Sequence, residues 1–112
     1  MREQAAKFLP LNPGTLHILL ALAGEDLHGY AIMQQVSRQS EGRYKMGPGT
    51  LYDNLQRLLS QGLVHERPQD SRRRYYRLSA LGKGVLAAEI SRLESMIRDA
   101  KLHLQAGRTA KV

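Results

Sequence analysis

Residues 47–62, GPGTLYDNLQRLLSQG, decide how this chain folds. Pro48 supplies a helical φ at a first helical position, Leu51, Leu55, Leu58 and Leu59 recur at i, i+4, i+7 and i+8, and Gly62 stands where a helix ends. The spacing predicts a helix with one leucine face turned to a core. On a helical wheel Asp53, Gln56, Arg57 and Ser60 point away from the leucines, with Thr50 and Tyr52 at the edges. Arg57 can bond phosphate or guanine, Gln56 can pair with adenine, and the Tyr52 phenol can bond phosphate or pack on a base methyl. Asp53 repels phosphate, so it either caps a backbone amide at the helix start or accepts from Arg57 one turn on. An ordinary amphipathic helix with a solvated face fits the same pattern.

Two helices precede this one. Leu11-Asn-Pro-Gly-Thr15 is turn chemistry ahead of the apolar run 16–23, which gives a helix over 13–23, apolar almost all round and therefore the hub of a helical core. Residues 24–27 connect it to a second helix over 28–40, where Ile32 and Val36 form the buried stripe with Tyr30 or Met33 flanking it, and Gly42 ends it. Downstream, residues 63–67 and 72–78 flank the turn-rich Pro68-Gln-Asp-Ser71 and read as a β-hairpin. In its second strand Arg74, Tyr76 and Leu78 share one face, from which Tyr76 and Leu78 can cover the helices. Three helices followed by a basic hairpin is the element order of a winged helix-turn-helix, with the third helix in the major groove and the hairpin beside it.

Ser79 is a good N-cap for a long last helix over 80–104. Its seam, Leu86, Ile90, Leu93, Ile97, Ala100 and Leu104, is spaced 4, 3, 4, 3, 4 with Met96 beside it, a heptad pattern. The seam either packs on the first helix of the same chain or pairs with a second subunit. A helix of about 25 residues measures roughly 37 Å, more than so small a domain covers, which favours a homodimer. Phe8, Leu9 and Leu11 can pack on the same seam. The expected architecture is α+β and mostly helical: an N-terminal arm (1–10), a winged helix-turn-helix (11–79), a long C-terminal dimerisation helix (80–104) and a disordered basic tail (105–112).

At 112 residues the chain has room for one core. The net charge of +7 is uneven: −1 over residues 1–42, +5 over 43–77 and +3 over 78–112. A cationic middle attracts polyanions, which makes double-stranded DNA the first partner to test. Lys45, just ahead of the third helix, reads as a phosphate contact, and Arg72, Arg73 and Arg74 at the hairpin tip can reach backbone or minor groove. With no cysteine, disulfides, thiol nucleophiles and Cys-based zinc sites are excluded. No apolar run approaches a membrane span and no secretory h-region follows the first residues, so a cytoplasmic address is expected and no membrane partner. His17, His28, His65 and His103 are dispersed without metal-ligand spacing, and Gly47-Pro-Gly49 and Gly82-Lys-Gly84 lack the context of phosphate-cradling loops. No catalytic residue, cofactor or metal is expected.

Together, Leu27-His-Gly-Tyr30, Gly47-Pro-Gly-Thr-Leu-Tyr52, Leu55, Leu58, Gly62-Leu-Val64, Arg73-Arg-Tyr-Tyr-Arg-Leu-Ser79 and Leu81-Gly82 resemble the PadR family of bacterial transcriptional regulators, across most of the chain. The resemblance implies a homodimer whose third helix and wing bind a palindromic operator, usually as a repressor. Pro48, Gly49, Thr50 and Tyr52 match the family's recognition-helix motif, Asn54 lies at a variable position within it, and Arg73, Arg74 and Tyr75 fall in the wing. The single last helix matches the short subfamily. It also implies a small hydrophobic effector at the dimer interface, lined by Phe8, Leu93 and Met96; a plain hydrophobic interface is the other reading. Two departures stand out: the chain has no tryptophan, and Asp53 stands where many relatives have proline or another residue. A winged-helix protein-interaction module binding an acidic partner is the alternative of a different class.

Overall fold

The computed structural model describes residues 2–68 and 73–110. The elements are α1 (Arg2–Ala6), α2 (Pro13–Gly24), β1 (Leu27–His28), α3 (Gly29–Gln39), α4 (Pro48–Ser60), β2 (Val64–Pro68), β3 (Arg74–Leu78) and α5 (Ala80–Ala110). The expected three helices are α2, α3 and α4, and the expected hairpin is β2–β3. Its tip, residues 69–72, lies outside the described residues, and with it the DNA contact expected of Arg72.

Each helix begins and ends for a local reason. Asn12 caps α2, its side chain accepting from the Thr15 N–H at 2.9 Å, with Pro13 in the first turn. His28 caps α3 through Nδ1, which accepts from the Ala31 N–H at 3.3 Å. At the end of α4 the Leu63 N–H bonds the Leu58 carbonyl (3.0 Å) and the Gly62 N–H that of Leu59 (3.1 Å), a Schellman closure for which Gly62 takes φ +76°.

α2 is the hub. Ile18, Leu19, Ala21 and Leu22 are buried between α3, α4, α5 and the sheet, joined by Ile32 and Val36 of α3 and Leu51, Leu55 and Leu58 of α4. Tyr76 and Leu78 close the core from β3, as the alternation of that strand predicts.

Three features differ from the sequence reading. Residues 27–28 form a strand, where the sequence reading had the end of a connection and the first residue of a helix: β1 pairs antiparallel with β3 (Leu27 with Tyr76, His28 with Tyr75), giving a three-stranded sheet in the order β1-β3-β2. The N-terminal arm carries the short α1, which packs on α5 through the buried Ala5. The last helix continues past the expected end at Leu104 to Ala110, so residues 105–110 of the expected tail are helical.

The start of α5 is locked to the end of α4. Ser79 Oγ donates to the Gly62 carbonyl (2.6 Å) and accepts from the Gly82 N–H (2.9 Å), while the Ser79 N–H bonds the Leu63 carbonyl (3.0 Å). A Cβ at Gly82 would collide with that Leu63 carbonyl, so only glycine permits this approach.

About two turns further along α5, Glu89 is fully buried. Its Oε2 accepts from the Leu11 N–H (2.9 Å) and from Arg92 Nη2 (3.0 Å), and its Oε1 from Arg92 Nε. The Arg92 hydrogen bonds hold this carboxyl below the usual carboxylate range, outweighing its burial. A carboxylate inside the core is thereby satisfied, and it fastens the arm to α5.

Candidate nucleic-acid interface

The leucine face of α4 is spent on the core, and the rest of the helix surface is what the fold leaves over. Gly49, Thr50, Tyr52, Asp53, Gln56, Arg57 and Ser60 are all exposed. By the 100° step of the helix, Gly49, Asp53, Gln56 and Ser60 run along the centre of this face, with Thr50 and Arg57 on one flank and Tyr52 on the other.

Asn54, expected among the contacts to DNA, is corrected by the structure: it is 8% exposed and inside the molecule. It sits at i+3 from Leu51 and four before Leu58, so it belongs to the buried stripe. Its Oδ1 accepts from Thr15 Oγ1 (3.3 Å) and Arg57 Nη1 (3.2 Å), and its Nδ2 donates to the Thr50 carbonyl (2.8 Å). Asp53 also departs from expectation. Neither expected role, cap or acceptor from Arg57, is made: Gly47 is the N-cap without a side-chain bond, and Arg57 turns to Asn54. The Asp53 carboxylate projects at the centre of the face, exposed.

Ahead of α4, the loop is pinned on alternate residues. Tyr44 stacks on His17 (centroids 4.7 Å apart) and its backbone N–H donates to Ser40 Oγ (3.0 Å), and Met46 is buried. Lys45 between them is exposed, as is Arg43, and neither pairs with a carboxylate among the described residues.

The hairpin carries less unmatched charge than its sequence suggests. Asp26, just before β1, pairs with Arg77 (3.0 Å) and Arg67 (3.5 Å), and Glu66 pairs with Arg74 (2.9 Å) across the two strands. The Arg74 guanidinium is held above its ordinary pKa first by the hydrogen bond to Glu66 and then by its charge. Arg73 is exposed beside it, and Tyr75 is half-buried, edge-on to His28 at 5.5 Å.

Between the start of α3, α4 and the wing lies an open cleft of about 320 Å³, walled by Tyr30, Tyr52, Arg73, Arg74 and Tyr76. Tyr52 reaches it because Gly29 has no side chain: a Cβ there would collide with the Tyr52 hydroxyl. Tyr52 is 47% and Tyr30 62% exposed. Sequence reasoning set Tyr30 beside the buried stripe of its helix; a tyrosine at the start of a helix, two residues before the stripe begins at Ile32 and so turned away from it, was the available signal that it stands at the rim.

The seam of α5 divides. Leu86, expected at a dimer interface, is instead buried in the core of its own chain with Val85. The rest faces outward: Leu93 is half-buried, and Ile90, Met96, Ile97 (54%), Ala100 and Leu104 (69%) are exposed. Of the three residues expected to line an effector site, Phe8 borders a space of about 100 Å³ whose walls also include Pro10, Arg57 and Gln61 but neither Leu93 nor Met96. Among the described residues no group of His, Asp and Glu is placed to hold a metal, and no helix is long and apolar enough to cross a membrane.

A sequence model described as the transcriptional regulator PadR-like family matches residues 18–88. The chain is 38% identical over 87 residues to the transcriptional regulator Rv3488 of Mycobacterium tuberculosis, covering 75% of this chain and 78% of that protein. A crystal structure of a PadR family transcription regulator from Clostridium difficile superposes with a TM-score of 0.73 at 23% identity, over 83% of this chain and 99% of that one. Bacillus subtilis PadR in complex with operator DNA does so with a TM-score of 0.63 at 22% identity, over 72% of this chain and 48% of that one. The fold they share with this chain is the winged helix.

Proposed function

Because the chain belongs to the transcriptional regulator PadR-like family, we propose that it regulates transcription by binding operator DNA as a homodimer, and that it represses. The observation that carries this reading is the exposed face of α4, whose Thr50, Tyr52, Gln56 and Arg57 serve no core, beside a wing and a pinned Lys45. Inserted in the major groove, α4 offers Gln56 and Arg57 to base edges, with Tyr52 and Thr50 at its margins. Pro48 and Gly49 keep the first turn narrow. Lys45, Arg73, Arg74 and Tyr75 take the flanking sugar-phosphate backbone.

The apolar strip from Ile90 to Leu104 supports pairing of α5 with its copy. Two reading helices related by a two-fold axis match two half-sites of a palindrome about 34 Å apart. Around Leu93 and Met96 the same strip is where a small hydrophobic effector would meet both protomers. A role in binding operator DNA fits a cytoplasmic address.

The test is selection of duplexes from a randomised pool followed by mobility shift at several salt concentrations. A palindromic winner, preferred over scrambled duplex at every salt, is expected. Lys45→Ala is expected to weaken winner and scramble alike and to lower the salt slope by about 1 per protomer. Equal affinity for all sequences at every salt refutes the proposal.

A further inference from the structure

Arg57 leaves α4 on the exposed side, yet its guanidinium is tied back to Asn54 Oδ1 at 3.2 Å. The same oxygen accepts from Thr15 Oγ1, and the amide nitrogen donates to the Thr50 carbonyl. Arg57 has donors only, so a flipped amide would set an NH2 against a guanidinium and lose the bond to the Thr50 carbonyl; the orientation of Asn54 is fixed by its partners. Thr15 is fixed in turn: it is buried, and its N–H is bonded to Asn12 Oδ1 at 2.9 Å. Asn12 follows Leu11, whose N–H is held by Glu89 on α5.

A hydrogen-bonded series thus runs from α5 through the arm and the cap of α2 to the one arginine of α4. We propose that Asn54 is a positioning residue of the reading face: it touches no DNA but aims Arg57, and Thr15 aims Asn54. The gain is preorganisation. A long side chain loses its rotamer freedom before DNA arrives, so less is lost on binding. The inference rests on the reading of α4 as the DNA-contacting helix.

The test uses the full chain and the duplex it selects from a randomised pool, with a scrambled duplex as reference. Arg57→Ala is expected to lower the preference for the selected duplex about tenfold. Asn54→Ala is expected to lower it several-fold while leaving affinity for the scramble unchanged, and Asn54→Ala with Arg57→Ala to be no worse than Arg57→Ala alone. Thr15→Val removes one hydroxyl at constant volume and carries the same test if Asn54→Ala fails to fold; Thr15→Ser restores the preference.

Losses that add in the double variant overturn the inference. So does an unchanged preference in Thr15→Val and Asn54→Ala while Arg57→Ala loses it, and so does Arg57→Ala binding like the parent. A wild-type chain with no sequence preference overturns the DNA reading itself, and this inference with it.

Discussion

Replacing Gly49 with alanine separates what the fold wants from what a partner wants. Gly49 lies in the first turn of α4 with an ordinary negative φ, exposed, and a Cβ built there meets nothing within 4 Å. Nothing inside the chain requires glycine. Glycine within a helix costs about 0.5–1 kcal/mol relative to alanine because its unfolded state is freer. Gly49→Ala is therefore expected to stabilise the chain by about 0.5 kcal/mol, the low end because the position is in the first turn, and to raise Tm by about 2–4 °C. Operator affinity is expected to fall at least tenfold, because the methyl stands at the centre of the outward face, in line with Gln56, where the groove floor must come close. Calorimetry and mobility shift on one preparation read both quantities. A more stable variant that binds the selected duplex as tightly as the parent refutes the placement of this face in the groove; a less stable one refutes the conformational argument.

The other predictions concern the frame. Glu89→Gln removes the charge from three hydrogen bonds in the core and is expected to cost about 2 kcal/mol by urea denaturation at pH 7. Because the carboxyl titrates below its ordinary value of 4.5 in the folded chain, its contribution is complete above that value and is lost as pH falls through the lower folded one. The gap between parent and variant is thus expected to close in acid, and a gap that widens there sinks the assignment. Gly82→Ala must push α5 off the Leu63 carbonyl, at about 3 kcal/mol, and unchanged denaturation would show the approach to be looser than described. Ile97→Asp, at an exposed site, should leave the lone chain within about 0.5 kcal/mol of the parent while sedimentation equilibrium shows monomers; a persistent dimer rules out this strip as the interface.

The reading helix was legible because four leucines on a 3.6 period leave little choice of face, and the hairpin because Tyr76 and Leu78 alternate with arginines. Asn54 was missed although its spacing from Leu51 and Leu58 marked it as inward: a polar residue in a motif invites a ligand before it invites a buried hydrogen bond. Glu89 carried a like signal, four residues after Val85 on the apolar side of α5, and the reading of the seam passed over it. β1 could not be read at all. Two residues are too short to show a period, and they are a strand only because β3 offers its free edge. α1 is stable through Ala5 against α5, a tertiary contact that no local pattern announces. The end of α5 was placed too early because the apolar period stops at Leu104, whereas a helix runs on past its last apolar position to Ala110, and Gly107, at a cost of about 1 kcal/mol, does not end it.

The ion pairs of the wing bear on how this protein behaves on a column. Arg67, Arg74 and Arg77 are met by carboxylates of their own chain, so a sulfonate or sulfated-polysaccharide resin must displace a tethered Asp26 or Glu66 rather than a sodium ion. The chain is expected to leave heparin at lower salt than another protein of charge +7 whose arginines are unpartnered, and to carry less stray nucleic acid from the lysate. Glu66→Gln should elute later, which makes a simple chromatogram a gauge of how firmly the wing keeps its cations to itself.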